Sequence, residues 1–111
     1  MKIKERPEGD VIVLELKGSL ALGPGEDAFR QKMAQLIEEK RTNILLDFKE
    51  VEFIDSSGVG ALVKYLTTIT REGGKLKCVN PGQLFKKVLK ITGVYDLFDF
   101  YPDEKTALSG F

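Results

Sequence analysis

The chain has 111 residues, with 17 basic and 17 acidic side chains, a formal net charge of zero, 42% hydrophobic residues and no histidine. That length suits one domain, residues 1–111, around a single core, and the balanced charge gives no positive field of the size a nucleic-acid binder carries. Without histidine, Ser-His-Asp and Cys-His catalysis and the usual zinc ligand sets are excluded, so no catalytic residue, metal ligand or cofactor is expected and a non-enzymatic role is.

In chain order, residues 2–6 form a short edge strand and residues 7–10, Pro-Glu-Gly-Asp, a turn. Residues 11–17 alternate, with Ile12, Leu14 and Leu16 on one face and Val11, Val13, Glu15 and Lys17 on the other. So short a turn makes the two strands an antiparallel hairpin, with a solvated Glu15/Lys17 face. Residues 18–25 are a glycine-rich loop. Glu26 and Asp27 place acid in the first turn of a helix over 26–40, whose stripe Phe29, Met33, Leu36 and Ile37 reads as core.

A strand over 43–48 carries Ile44, Leu46 and Phe48 on one face. After a turn, apolar residues at Val59, Leu62, Val63, Leu66 and Ile69 predict a helix over about 57–71, ended by Gly73-Gly74. Residues 75–79 form a strand with Leu76 and Cys78 facing in and Lys75 and Lys77 facing out, which makes Cys78, the lone cysteine, a small core residue. Asn80-Pro81 reads as a helix start, a capping side chain followed by a proline that needs no amide proton. Leu84, Phe85, Val88 and Leu89 are that helix's apolar face, Lys86, Lys87 and Lys90 complement its dipole, and Gly93 ends it. A strand over 97–101 and a short helix from Pro102 through Leu108 close the chain.

Strands alternating with helices imply parallel pairing and right-handed crossovers. The polar/apolar alternation of several strands is unlike that of a sheet covered on both sides. The expected fold is α/β, a mixed and mostly parallel sheet with an N-terminal antiparallel hairpin and helices mainly on one face. One cysteine excludes an intramolecular disulfide. Residues 1–6 lack the apolar core of a signal peptide, and no run approaches the roughly 18 apolar residues of a membrane span. A cytoplasmic protein without membrane insertion is expected.

The chemistry concentrates at Asp55-Ser56-Ser57-Gly58, between strand and helix. Ser56 or Ser57 is placed to cap the helix, and the first-turn amides and the helix dipole favour an anion there. The residues alone leave four readings open. One is a structural turn with a capping serine. A second is a nucleophilic serine, which would have neither a histidine nor a Ser-Lys motif to activate it. A third is a nucleotide phosphate loop, which would lack the GK[ST] element. The fourth is a regulatory phosphorylation site.

The run Phe53-Ile54-Asp55-Ser56-Ser57-Gly58-Val59-Gly60-Ala61-Leu62 resembles the signature of the STAS-domain anti-sigma factor antagonists. Leu16-Lys17-Gly18-Ser19-Leu20, Gly73-Gly74, Asn80-Pro81, and Thr92-Gly93-Val94 ahead of Leu97-Phe98 match as well, so the resemblance covers essentially the whole chain. It implies strands in sequential order with helices stacked along one face. It also implies a partner-switching cycle. The unphosphorylated antagonist binds an anti-sigma factor that is also a serine kinase of the histidine-kinase-like ATPase type. That kinase phosphorylates the serine after the motif aspartate, here Ser56 with Ser57 as rival, and a metal-dependent serine phosphatase reverses the step. Asp55, Ser56, Ser57, Gly58, Ser19 and Ala21 are the implied partner-binding residues. One departure stands out: where such proteins commonly carry an aspartate after Gly-x-Leu, this chain has Ala21, with Asp27 the acid that could replace it if the loop folds back. The altered loop motivates an alternative, an unphosphorylated STAS scaffold docking in a lipid-transport or stressosome-type assembly. A monomer, or a weak dimer through the edge strand, is expected.

Overall fold

The elements run β1 (Lys2–Glu8), β2 (Val11–Leu20), α1 (Pro24–Glu38), β3 (Asn43–Ile54), α2 (Ser56–Arg71), β4 (Lys75–Val79), α3 (Gln83–Ile91), a 3-10 turn (Tyr95–Leu97), β5 (Asp99–Tyr101) and α4 (Glu104–Ser109). They come from a computed structural model that describes residues 1–111. The strands lie in the order β1-β2-β3-β4-β5. Only β1 and β2 pair antiparallel, and the other three pairings are parallel. This is the expected α/β sheet with its N-terminal hairpin.

Period-two alternation decides what each face buries. Ile12, Leu14 and Leu16 of β2, Ile44, Leu46 and Phe48 of β3, and Leu76 and Cys78 of β4 all belong to the main core. Phe29, Met33 and Leu36 of α1, Leu62 and Ile69 of α2, and Phe85 and Leu89 of α3 meet them there. The Phe48 and Phe85 rings lie 4.4 Å apart and dock α3 on the central strand. Phe29 and Tyr65 meet edge to face at 6.0 Å, and the Tyr65 hydroxyl donates to the Arg30 carbonyl at 3.2 Å, tying α2 to α1. Cys78 is fully buried, and desolvation pushes its thiol above the ordinary range.

The opposite face is divided. Val11, Val13, Leu45 and Val79 form a second apolar cluster sealed by Ala107 of α4, while Glu15 and Lys17 border an open charged depression of about 480 Å³ with Lys2, Lys4, Asp47 and Lys49. The solvated face expected from Glu15 and Lys17 is therefore only half of that side. Arg6 on β1 fastens α4 through Glu104 and is also paired with Glu8 and Glu15.

Four local expectations are corrected. β3 continues through Ile54 instead of stopping at 48, because Val51 and Ile54 stay buried while β2 tracks them through register shifts. Those shifts space the buried residues unevenly and hide the strand from a period-two reading. Lys77, expected outward, is buried under α4 and the C-terminus. Its ammonium donates to Asp99 (3.2 Å) and the Tyr101 hydroxyl (2.9 Å) and sits 5.6 Å from the Phe111 ring centroid. Asn80 does not cap α3, since Gly82 is the residue at that position. Asn80 has φ 58° and donates its amide to Asp47 at 3.1 Å, tying the end of β4 to β3. The last strand is only Asp99–Tyr101, preceded by the 3-10 turn.

Asp99 is 68% exposed at its side chain, so the Lys77 pair is screened and the lysine's aliphatic stem contributes mainly by packing. We predict that Lys77→Met changes stability by less than about 1 kcal/mol, as expected of a swap that keeps the buried volume. Lys77→Ala should cost about 1–3 kcal/mol, in line with a truncated buried side chain. Urea denaturation of the two variants checks this.

Candidate functional site

The carboxyl ends of β2 and β3 are register neighbours, Leu20 beside Ile54, so the segments leaving them, 21–23 and Asp55, emerge side by side. Asp55 joins them. Its backbone is extended (φ −112°, ψ −176°) and it is the N-cap of α2. One carboxylate oxygen accepts from the Gly58 amide at 2.9 Å and the other from the Leu22 amide at 3.0 Å. The cap expected from Ser56 or Ser57 is thus supplied by the aspartate, whose short acceptor reaches the first-turn amides as well as a serine does. The serines move one step into the helix, Ser56 to its first position and Ser57 to its second.

Two glycines make this junction possible. A Cβ on Gly58 would lie 2.0 Å from the Leu20 carbonyl oxygen and 2.9 Å from Ile54 Cγ1. A Cβ on Gly25 would lie 2.0 Å from the Ser19 carbonyl oxygen. Both helix starts therefore press on the end of β2 more closely than any side chain allows. The start of α1 is also built from the backbone outward: Gly23 at φ 108° precedes Pro24, whose fixed φ suits the first helical position. In the first turn, buried Glu26 pairs with Arg30 at 2.8 Å.

Electrostatically, two backbone amides hold the Asp55 carboxyl below the usual carboxylate range, the Leu22 amide most and the Gly58 amide next, with the Ser57 amide adding to them. An acceptor fixed at a helix N-terminus is what such a shift requires. Ser56 is exposed, Ser57 half-buried and Gly58 buried. Ser19 is exposed and Ala21 half-buried, so the fold brings Ser19, Ala21, Asp55, Ser56, Ser57 and Gly58 to one rim of the sheet. The acid that hydrogen-bonds the 21–23 loop is Asp55; Asp27, proposed from the sequence for that place, is an exposed residue in the first turn of α1. The sequence reading missed Leu22 and Phe53, two large apolar residues at this rim that are 78% and 45% exposed. Phe53 opens the motif and Leu22 lies in the altered loop, but hydrophobic character alone pointed both toward burial.

No group of three or more His, Cys, Asp or Glu side chains is placed to hold a metal ion. The charged depression lies on the sheet's other side, lined from β1, β2, β3 and α4 rather than by the Asp55 turn. No helix is long and apolar enough to cross a membrane.

The profile of the STAS domain matches residues 2–107. The chain belongs to the STAS-domain family. It is similar to an anti-sigma F factor antagonist of Paenibacillus polymyxa, 24% identical over 110 residues, covering 98% of this chain and 93% of that protein. It is also similar to an anti-sigma-B factor antagonist of Bacillus subtilis, 30% identical over 70 residues, 63% of each chain. The same STAS fold is seen in the unphosphorylated form of the antagonist SpoIIAA (TM-score 0.74, 21% identity, 98% of this chain and 96% of that one). It is seen again in the phosphorylated form of SpoIIAA, a Bacillus cell fate determinant (TM-score 0.75, 21% identity, 99% and 100% coverage).

Two predictions test the junction. Asp55→Ala should cost about 0.5–2 kcal/mol, the range for a lost N-cap. Because the folded carboxyl titrates below its unfolded value of about 3.9, its contribution is complete above that pH and is lost as pH falls through the lower folded value. The stability difference between wild type and Asp55→Asn should therefore narrow on acidification below about pH 4, measured by urea titration at stepped pH. Gly58→Ala should cost at least the roughly 1–3 kcal/mol of an overpacked site, whereas Gly60→Ala, which meets open space, should be neutral or stabilising; paired thermal melts decide between them.

Proposed function

We propose that this STAS domain is an anti-sigma factor antagonist, a cytoplasmic binding module that acts by partner switching and not by catalysis. Unphosphorylated, it sequesters an anti-sigma factor that is also a serine kinase of the histidine-kinase-like ATPase type. Phosphorylation at Ser56 releases it, and a serine phosphatase resets it. The observation that carries the reading is an exposed Ser56 at the first position of α2, next to the Asp55 cap that organises the rim. The names of the similar proteins and the two states of SpoIIAA support it.

The physics suits a local switch. A phosphate adds about 1.5–2 negative charges and three strong acceptors. At the start of α2 the dipole and the first-turn amides offset that charge within the domain. A partner surface pressed on the same spot has no such compensation. There the phosphate adds to the Asp55 charge and must be desolvated, which costs affinity without refolding the antagonist.

Intact mass and phosphosite mapping of the protein purified from its own host test this reading. The expected result is one added phosphate on Ser56, absent from Ser56→Ala and retained in Ser57→Ala. Loss in Ser57→Ala alone would move the site to Ser57. Unmodified protein across growth conditions would favour the second reading, a constitutive STAS scaffold in a lipid-transport or stressosome-type assembly, motivated by Ala21 in the rim loop. In that case Ser56→Asp would leave complex formation unchanged.

A further inference from the structure

The helix α3 buries Phe85 and Leu89 and leaves other apolar side chains outside. Leu84 is 51% exposed and Ile91 73% exposed, with half-buried Val88 between them at the i, i+4, i+7 spacing of one helix flank. The same helix carries Lys86, Lys87 and Lys90 and no acid. None of these lysines pairs with a carboxylate; Lys90 lies over the Tyr95 ring, 4.9 Å from its centroid. At about 3.6 residues per turn, Lys87 stands opposite buried Phe85 and Leu89, with Leu84 and Ile91 to one side of it and Lys90 to the other. Of the lysines expected to complement the dipole, only Lys90 lies in the last turn, so helix stability does not account for Lys86 and Lys87.

An exposed leucine or isoleucine by itself is ordinary. An apolar flank bordered by unpaired ammonium groups on one short helix is the pattern of a segment that lies on an anionic bilayer surface. We infer that α3 is a membrane-surface contact, with Leu84 and Ile91 entering the headgroup boundary and Lys86, Lys87 and Lys90 meeting lipid phosphates. Charge complementarity and composition choose this occupant. Protein interfaces favour aromatic side chains and arginine and disfavour lysine, whereas the outer side of α3 offers lysine, leucine and isoleucine. A second copy of the chain would bring the same lysines face to face. A headgroup layer accepts both parts, because lysine stems follow apolar surface while their ammonium groups reach the phosphates. The chain as a whole has no net charge, so the attraction is confined to α3 and the binding is reversible. This surface does not depend on Ser56 or on the antagonist role.

The test is co-sedimentation of the full chain with vesicles of phosphatidylcholine alone or of equal parts phosphatidylcholine and phosphatidylglycerol. The protein should partition to the mixed vesicles and not to phosphatidylcholine, and high salt should release it. Lys87→Gln should lower the partitioning about fivefold, the factor for one lysine near an anionic surface. The double change Leu84→Ser, Ile91→Ser should lower it about tenfold or more, with the melting temperature of each variant at the wild-type value. Lys105→Gln, which alters an exposed lysine of α4, should bind as wild type does. Absence of binding to the mixed vesicles, equal binding to both kinds, undiminished binding in the double variant, or an equal loss in Lys105→Gln overturns the lipid assignment. So does a dimer of the lipid-free chain that Ile91→Ser dissolves, which gives the flank to a second copy. Capture of a host protein that the double variant loses, without vesicle binding, gives the flank to a protein partner and overturns it as well.

Discussion

One carboxylate organises the functional end of this molecule. Asp55 accepts from Gly58 in its own helix and from Leu22 in the loop after the neighbouring strand. The first bond ends β3 and starts α2; the second fixes where the β2–α1 loop lies relative to that helix. A helix start leaves several amides without partners, and a cap that uses both oxygens satisfies one of them while spending the other oxygen on tertiary structure. The position and charge environment of Ser56, the placement of Leu22 and the depressed titration of Asp55 all depend on this arrangement.

The rest of the fold delivers that junction. Parallel pairing with right-handed crossovers brings successive strand ends to the same edge of the sheet, so β2 and β3 release their chains side by side. Three helices cover one face and bury its apolar rows, which leaves the strand ends as the place where backbone groups, polar side chains and solvent meet. The second face is closed only where α4 lays Ala107 over Val11, Val13, Leu45 and Val79. Arg6 with Glu104 fastens that cover, and Lys77 with Tyr101 and Asp99 ties β4 to β5 beside it. Ion pairs also tie α1 to β1, through Lys32 and Glu5, and close its first turn, through Glu26 and Arg30.

A neutral chain can accordingly work as a switch without any large electrostatic field. Added charge at Ser56 would act within a few ångströms, and wherever a bound partner excluded water a local change of one or two charges would be worth far more than the same change on a solvated surface. The domain itself would bear the charge at a helix start, where its backbone favours an anion. Rigidity helps for the same reason: with Gly25 and Gly58 seated on the end of β2, neither helix start has room to retreat from an approaching partner or from a phosphate.

The sequence by itself determined the element order, the hairpin, the helical cover mainly on one face, the buried Cys78 and the place of Asp55-Ser56-Ser57-Gly58 between a strand and a helix. Those follow from local periodicity, turn chemistry and a motif, all of which are written along the chain. Tertiary structure alone decided that the cap is Asp55 and not a serine, because serine and aspartate serve equally well until a second amide, from Leu22, is brought to the aspartate. It decided the length of β3, since register shifts against β2 break the spacing that would reveal it. It buried Lys77 and turned Asn80 toward Asp47, because β5 and β3, neither adjacent in sequence, supply their partners. It also left Leu22 and Phe53 at the surface: hydrophobic character reports a preference for burial, and only the packed fold shows which apolar side chains still lack a partner.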